Sequence, residues 1–157
     1  MLLYPVYKAL KTRLGAGVPV FFFIGQYLPG KQNTSYKVPA IYIEMPKDLP
    51  INFYPKKLMT AKGKIKIHYI SYAPFKNHDN DAQDAAVLAH DTKLNDIDKL
   101  INGWNATDAN GDKITEQFIQ SNADLLTYQD MALISVLTYN MEIYSRHLMT
   151  EVTIVKG

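Results

Sequence analysis

Apolar and polar positions recur along this chain with two periods, and the switches between them mark out its elements. Val6, Leu10 and Leu14 fall at i, i+4 and i+8, with Lys8, Lys11 and Arg13 elsewhere on the turn, which predicts a helix over residues 2–14. Pro5 fits a first turn, and Gly15 and Gly17 supply the stop. Residues 18–24 (VPVFFFI) form an apolar, β-prone run closed by Gly25, and GQYLPGKQNTSYK then reads as a long loop. VPAIYIEM at 38–45 predicts a strand with Ile41, Ile43 and Met45 on one side and Tyr42 and Glu44 on the other. Four prolines from Pro39 to Pro55 argue against any helix in that region.

The clearest strand covers residues 62–72 (KGKIKIHYISY). Ile65, Ile67 and Tyr69 alternate with Lys64, Lys66 and His68, predicting one buried face and one basic face. A long helix follows over 81–103. Val87, Leu94, Ile97, Ile101 and Trp104 make its apolar stripe, while Asp84, Asp91 and Asp98 repeat every seven residues on another face. Asp79 or Asn80 caps its start and Gly103 ends it. After the turn NATDANGDK the chain returns to β structure. Residues 131–145 keep period two over a length that predicts a bend or bulge, and 150–156 (TEVTIVK) read as a closing strand. No regular β–α alternation appears. The fold class is therefore α+β: a mainly antiparallel β-sheet, one long helix packed on it and a short N-terminal helix. At 157 residues, the expectation is a single domain, 1–157.

Composition removes several classes of chemistry. The chain has no cysteine, which excludes a disulfide scaffold, a thiolate nucleophile and any Cys-ligated metal. With 47% hydrophobic and 20% charged residues it is globular in composition. No apolar run approaches the roughly 18–20 residues that cross a bilayer, and no basic region precedes the first apolar stretch, so a soluble cytoplasmic protein without membrane contact is expected. The net charge of +2 is unevenly divided. Residues 1–76 carry 12 Lys/Arg against two acids, Glu44 and Asp48, whereas residues 77–157 carry 5 Lys/Arg against 13 Asp/Glu. Such a division suits a basic face for a polyanion, or complementary faces meeting between copies. It is equally what a scattered, solvated set of charges gives.

The local motifs are weak. GQYLPGKQ at 25–32 matches the core of a phosphate-binding loop, but position 32 is Gln32 rather than Ser or Thr and no helix follows. A solvent loop is expected. DANGDK at 108–113 resembles calcium-loop chemistry, yet its sixth and twelfth positions are Lys113 and Ile119. A turn is expected. His68, His78, His90 and His147 include no i, i+4 pair, and His90 reads as a core-edge residue, so neither metal nor cofactor is expected. There is no nucleophile elbow, and the acid pairs Asp79/Asp81 and Asp96/Asp98 read as polar helix surface. The expectation is a protein that is not an enzyme; the one catalytic alternative is a hydrolase assembled from distant residues such as His68, His90 and Asp91. Lys62, Lys64 and Lys66, with His68 continuing the row and Lys56 and Lys57 upstream, form a ribbon that could neutralise phosphates without reading sequence. Strand lysines also guard against edge aggregation.

The order of these elements resembles the tail terminators (minor tail protein U-like) and related tail-completion proteins of long-tailed phages. The matching pieces are YPVYKALKTRL, VPAIYIEM, the hairpin region ending KIKIHYISYA, the helix DAQDAAVLAHDTKLNDIDKLINGW and the long strand ALISVLTYNMEIYS. The resemblance implies a non-enzymatic structural role in tail assembly, as a hexameric ring that caps the tail tube and meets the head connector. Localisation in the virion, and in the host cytoplasm during assembly, follows from the same likeness. Candidate DNA-lumen or subunit-interface residues are then Lys62, Lys64, Lys66, His68, Asp84, Asp91 and Asp98. Expected partners are other copies of the chain, tail-tube and head-connector proteins, and non-specific DNA. The alternative is a small binding module whose basic sheet face takes nucleic acid or a protein partner.

Overall fold

The computed structural model of the chain describes residues 3–28, 36–54, 58–73 and 79–144. Among the described residues, two helices, α1 (Tyr4–Leu14) and α2 (Asn80–Ile101), accompany six strands. These are β1 (Val20–Phe22), β2 (Ala40–Glu44), β3 (Ile51–Tyr54), β4 (Leu58–Tyr72), β5 (Ile119–Gln129) and β6 (Ala132–Ile143). They form one sheet in the order β1-β2-β4-β6-β5, with β3 pairing β4 off that path. Only β1 and β2 run parallel; every other pair is antiparallel. The expected α+β class with a mainly antiparallel sheet is what the chain forms.

The two periods account for the core. Ile41 and Ile43 of β2, Ile65, Ile67 and Tyr69 of β4, and Leu137, Tyr139 and Met141 of β6 share one face of the sheet. Val6, Leu10 and Leu14 of α1 and Leu94, Ile97 and Ile101 of α2 pack on that face. Each such side chain taken fully from water contributes about 1.5–3 kcal/mol. Asp79 caps α2 by accepting from the Ala82 amide at 3.1 Å, and Gly103, at φ +82°, lets the chain leave it. The other face carries a smaller cluster, Ala40, Tyr42, Ile70, Ala132 and Ile134, covered by Phe23, Tyr27, Tyr36 and Val38.

Two strands went unread in the sequence, β3 and β5, and the expected irregularity lies elsewhere than anticipated. β6 pairs with β4 without a break from Ala132 to Ile143. The register shifts fall in β5, between Gln120 and Asn122 and between Asp124 and Thr127. The bend belongs to the edge strand, which has no second neighbour among the described residues to hold it in register. The closing strand expected at 150–156, His78, His147, Lys56 and Lys57 all lie outside the described residues.

β4 changes partner along its length, pairing β3 at Leu58–Ala61 and β2 at Lys66–Ile70. Gly63 falls between, and a side chain there would collide with Leu49 and press on the Pro46 ring at 3.3 Å. Gly63→Val is expected to destabilise the fold by about 1–3 kcal/mol, because Leu49 can swing aside but the proline ring cannot. Urea denaturation checks this, and a neutral result would mean that the 46–49 segment moves freely off β4.

Candidate functional site

The lysine row keeps the predicted side of β4 but not the predicted character. Lys62, Lys64 and Lys66 are exposed on the face opposite the helices. Their cross-strand neighbours, however, are Glu142 beside Lys62, Asn140 beside Lys64 and Glu44 beside Lys66. Lys66 Nζ approaches Glu44 Oε2 at 3.9 Å, a half-exposed pair of small energetic weight. The groove over this part of the sheet, about 740 Å³, brings Glu116 and Glu142 to the same surface as Lys62 and Lys64. It is a surface of mixed sign.

His68 does not continue the row outward, because it is only 4% exposed. Phe23 stacks on its ring at 4.0 Å between centroids, Tyr27 Oη lies 2.5 Å from Nδ1, and Glu44 Oε1 lies 3.2 Å from Nε2. A carboxylate only accepts, so Nε2 carries the proton and donates to Glu44. Nδ1 of the neutral ring then accepts from the Tyr27 hydroxyl. Burial lowers the His68 pKa to about 4, outweighing the opposing pull of the Glu44 carboxylate. The same burial raises the Tyr27 hydroxyl to about 12. His68 is thus a neutral latch that ties residues 23–27 to the sheet, rather than a phosphate contact.

The three aspartates of α2 also part company. Asp84 and Asp91 are exposed, but Asp98 is half-buried and accepts from the Tyr139 hydroxyl at 2.7 Å. Asp98 joins α2 to β6 and is removed from any acidic outer face. His90 is fully buried, as its place near the apolar stripe suggested. Ser71 Oγ lies 2.6 Å from Nδ1 and Ser135 Oγ 2.8 Å from Nε2, and Ser135 accepts from the Leu126 amide at 3.2 Å. Burial lowers the His90 pKa despite neighbouring Asp91. Because Ser71 and Ser135 project to the helix side, His90 and His68 lie on opposite faces of the sheet. The constellation of His68, His90 and Asp91 that a hydrolase would need is not assembled.

The two loop motifs resolve into local structure. Asp108 Oδ1 accepts from the Asn110 and Asp112 amides at 2.9 and 3.0 Å, forming the expected turn. Gly25 begins the GQYLPGKQ stretch at φ +82°, and the Tyr27 side chain folds back onto His68. Residues 29–32 of that stretch lie outside the described residues.

One surface has no counterpart in the sequence reading. A groove of about 890 Å³ runs between α1 and the β1 edge, lined by Leu3, Tyr7, Phe22, Ile24, Leu28 and Met45 among others. The run FFF creates it because consecutive strand residues alternate in direction. Phe21 stacks on Tyr42, Phe22 meets Tyr7 edge-on, and Phe23 covers His68. Three adjacent phenylalanines that cannot share one face were the available signal. Among the described residues, no helix is long and apolar enough to cross a membrane.

No family model and no curated protein matches the chain. Among solved structures, the fold is similar to that of a chain in a structure described as "Virion of native gene transfer agent (GTA) particle". The TM-score is 0.54 at 12% identity, covering 88% of this chain and 91% of that one. At that identity the likeness is one of fold.

Proposed function

We propose that this chain is a structural component of a phage-like particle, acting without catalysis as a ring-forming tail terminator or head–tail joining protein. The observation that carries this reading is the similarity of fold, over nearly the full length of both chains, to a chain of a gene transfer agent virion. The element order that resembles tail-completion proteins supports it independently. Its partners would be further copies of itself, the tail tube and the head connector. The alternative of a basic nucleic-acid module loses its main support, since Glu44 and Glu142 flank the lysines and His68 is buried and neutral.

Deleting the gene from the strain that makes the particles tests the reading. Electron microscopy is expected to find filled heads apart from tails, or tails of irregular length. Normal joined particles from the deletion strain would sink it.

A further inference from the structure

We propose that the cleft between α1 and residues 104–109 receives a short acidic segment of another particle protein, one of its carboxylates meeting Arg13 and Lys8. This rests on the reading of the chain as a particle component and names the chemistry of a partner. The cleft holds about 590 Å³ and shares only Tyr4 with the groove at the β1 edge. Both of its cations are exposed, and among the described residues neither Lys8 nor Arg13 belongs to an ion pair.

Arg13 is nonetheless held in place. Its Nε donates to the Leu100 carbonyl at 2.9 Å, in the last turn of α2. Its guanidinium carbon lies 5.2 Å from the centre of the Trp104 ring. Trp104 stacks in turn with Phe118, which is fully buried. Nε uses one of five N–H donors, and the four on the Nη atoms bond nothing among the described residues. A guanidinium fixed in advance loses less freedom on taking a carboxylate than a free one does. Lys8 lines the same cleft and supplies a second cation.

Length and charge select the ligand. From Tyr4 to Arg13 the cleft follows α1 for about 13 Å at the helical rise, the length of about four extended residues. Pro5 and Ala9 line it with apolar surface, and Asp108 lies on the wall across from α1. Two cations against one acid leave a single net positive charge. A nucleic-acid strand carries a phosphate about every 3.4 Å of axis. Laid along the cleft, it would bring several charges against that one and past Asp108. A peptide can present one carboxylate flanked by apolar side chains, which suits both the charge and the lining.

Lys8 is the residue to vary, because Arg13 also ties α1 to α2. Lys8→Glu and Lys11→Glu make the same change of charge at exposed positions of α1, and only Lys8 lines the cleft. In the strain that makes the particles, Lys8→Glu is expected to lower the yield of joined particles at least tenfold. The purified variant should keep its thermal midpoint, and Lys11→Glu should leave both quantities unchanged. Second changes that restore the Lys8→Glu yield should replace an Asp or Glu of a different particle protein. Normal yield from Lys8→Glu, or an equal fall from both variants, overturns the proposal. So does a fall that comes with a lowered midpoint, which is a folding defect, and so do restoring changes confined to this chain. If the purified chain binds an oligothymidylate strand and Lys8→Glu alone abolishes that binding, the cleft serves nucleic acid and the proposal fails. Normal joined particles from the deletion strain would remove the underlying reading. A deletion that blocks joining while Lys8→Glu does not removes this inference alone.

Discussion

Tyr139→Ala is expected to lower stability by about 3–5 kcal/mol, the range for deleting a buried aromatic ring, and to drop the thermal midpoint by roughly 10 °C or more. Tyr139 is fully buried on β6, between the two strands that make the most extensive pairings, and faces α2. Its hydroxyl donates to Asp98 Oδ1 at 2.7 Å. Tyr139→Phe isolates that bond and should cost about 1.5–3 kcal/mol, as for hydrogen bonds to charged groups. Burial and the Asp98 carboxylate both raise the Tyr139 pKa above the ordinary 10.0. The fold therefore keeps this hydroxyl neutral where the unfolded chain releases its proton, and stability falls as pH rises above about 10. Denaturation at pH 8 and pH 10.5 should show a smaller loss for Tyr139→Phe than for the natural chain. An equal loss would mean that other tyrosines carry the alkaline dependence.

Acid should weaken the fold through His68. The unfolded histidine takes up a proton below its ordinary 6.5, which the folded ring refuses down to about 4. Stability is thus full above pH 6.5, falls between 6.5 and 4, and levels off below, a loss on the order of 3 kcal/mol for this residue. Buried His90 adds a loss of the same sign. His68→Gln keeps the possibility of bonding Tyr27 and Glu44 but does not titrate. Its stability should be modestly lower at pH 7.5 and markedly flatter from pH 6.5 to 4.5. If urea midpoints of the two proteins fall in parallel over that range, the latch does not titrate as the geometry requires.

What the sequence disclosed follows from how local each signal is. α1 was legible because Val6, Leu10 and Leu14 all face one sheet. β4 was legible because Ile65, Ile67 and Tyr69 alternate with polar residues over a long run. β5 was not, because IQSNADLLTYQ is largely exposed and shifts register twice, so no period survives. β3 is four residues flanked by Pro50 and Pro55, too short to separate from a loop. His68 has the parity of the lysines. Its burial comes from Phe23 and Tyr27, more than forty residues away, which no local pattern encodes. Asp98 shares a seven-residue spacing with Asp84 and Asp91, but a helix drifts by about 20° per heptad, and Tyr139 is close enough to claim only the last. The exposed side chains of the β5–β6 hairpin were invisible for the same reason, since exposure is decided by distant chain, and the groove between α1 and β1 left only the run of three phenylalanines as its signal.

The measurement closest to the central claim is gold labelling of this chain, by antibody, on purified particles from the strain that encodes it. The account predicts label confined to one place per particle, the junction of head and tail. Complete, joined particles that carry no label, with the chain free in the cell, would contradict it.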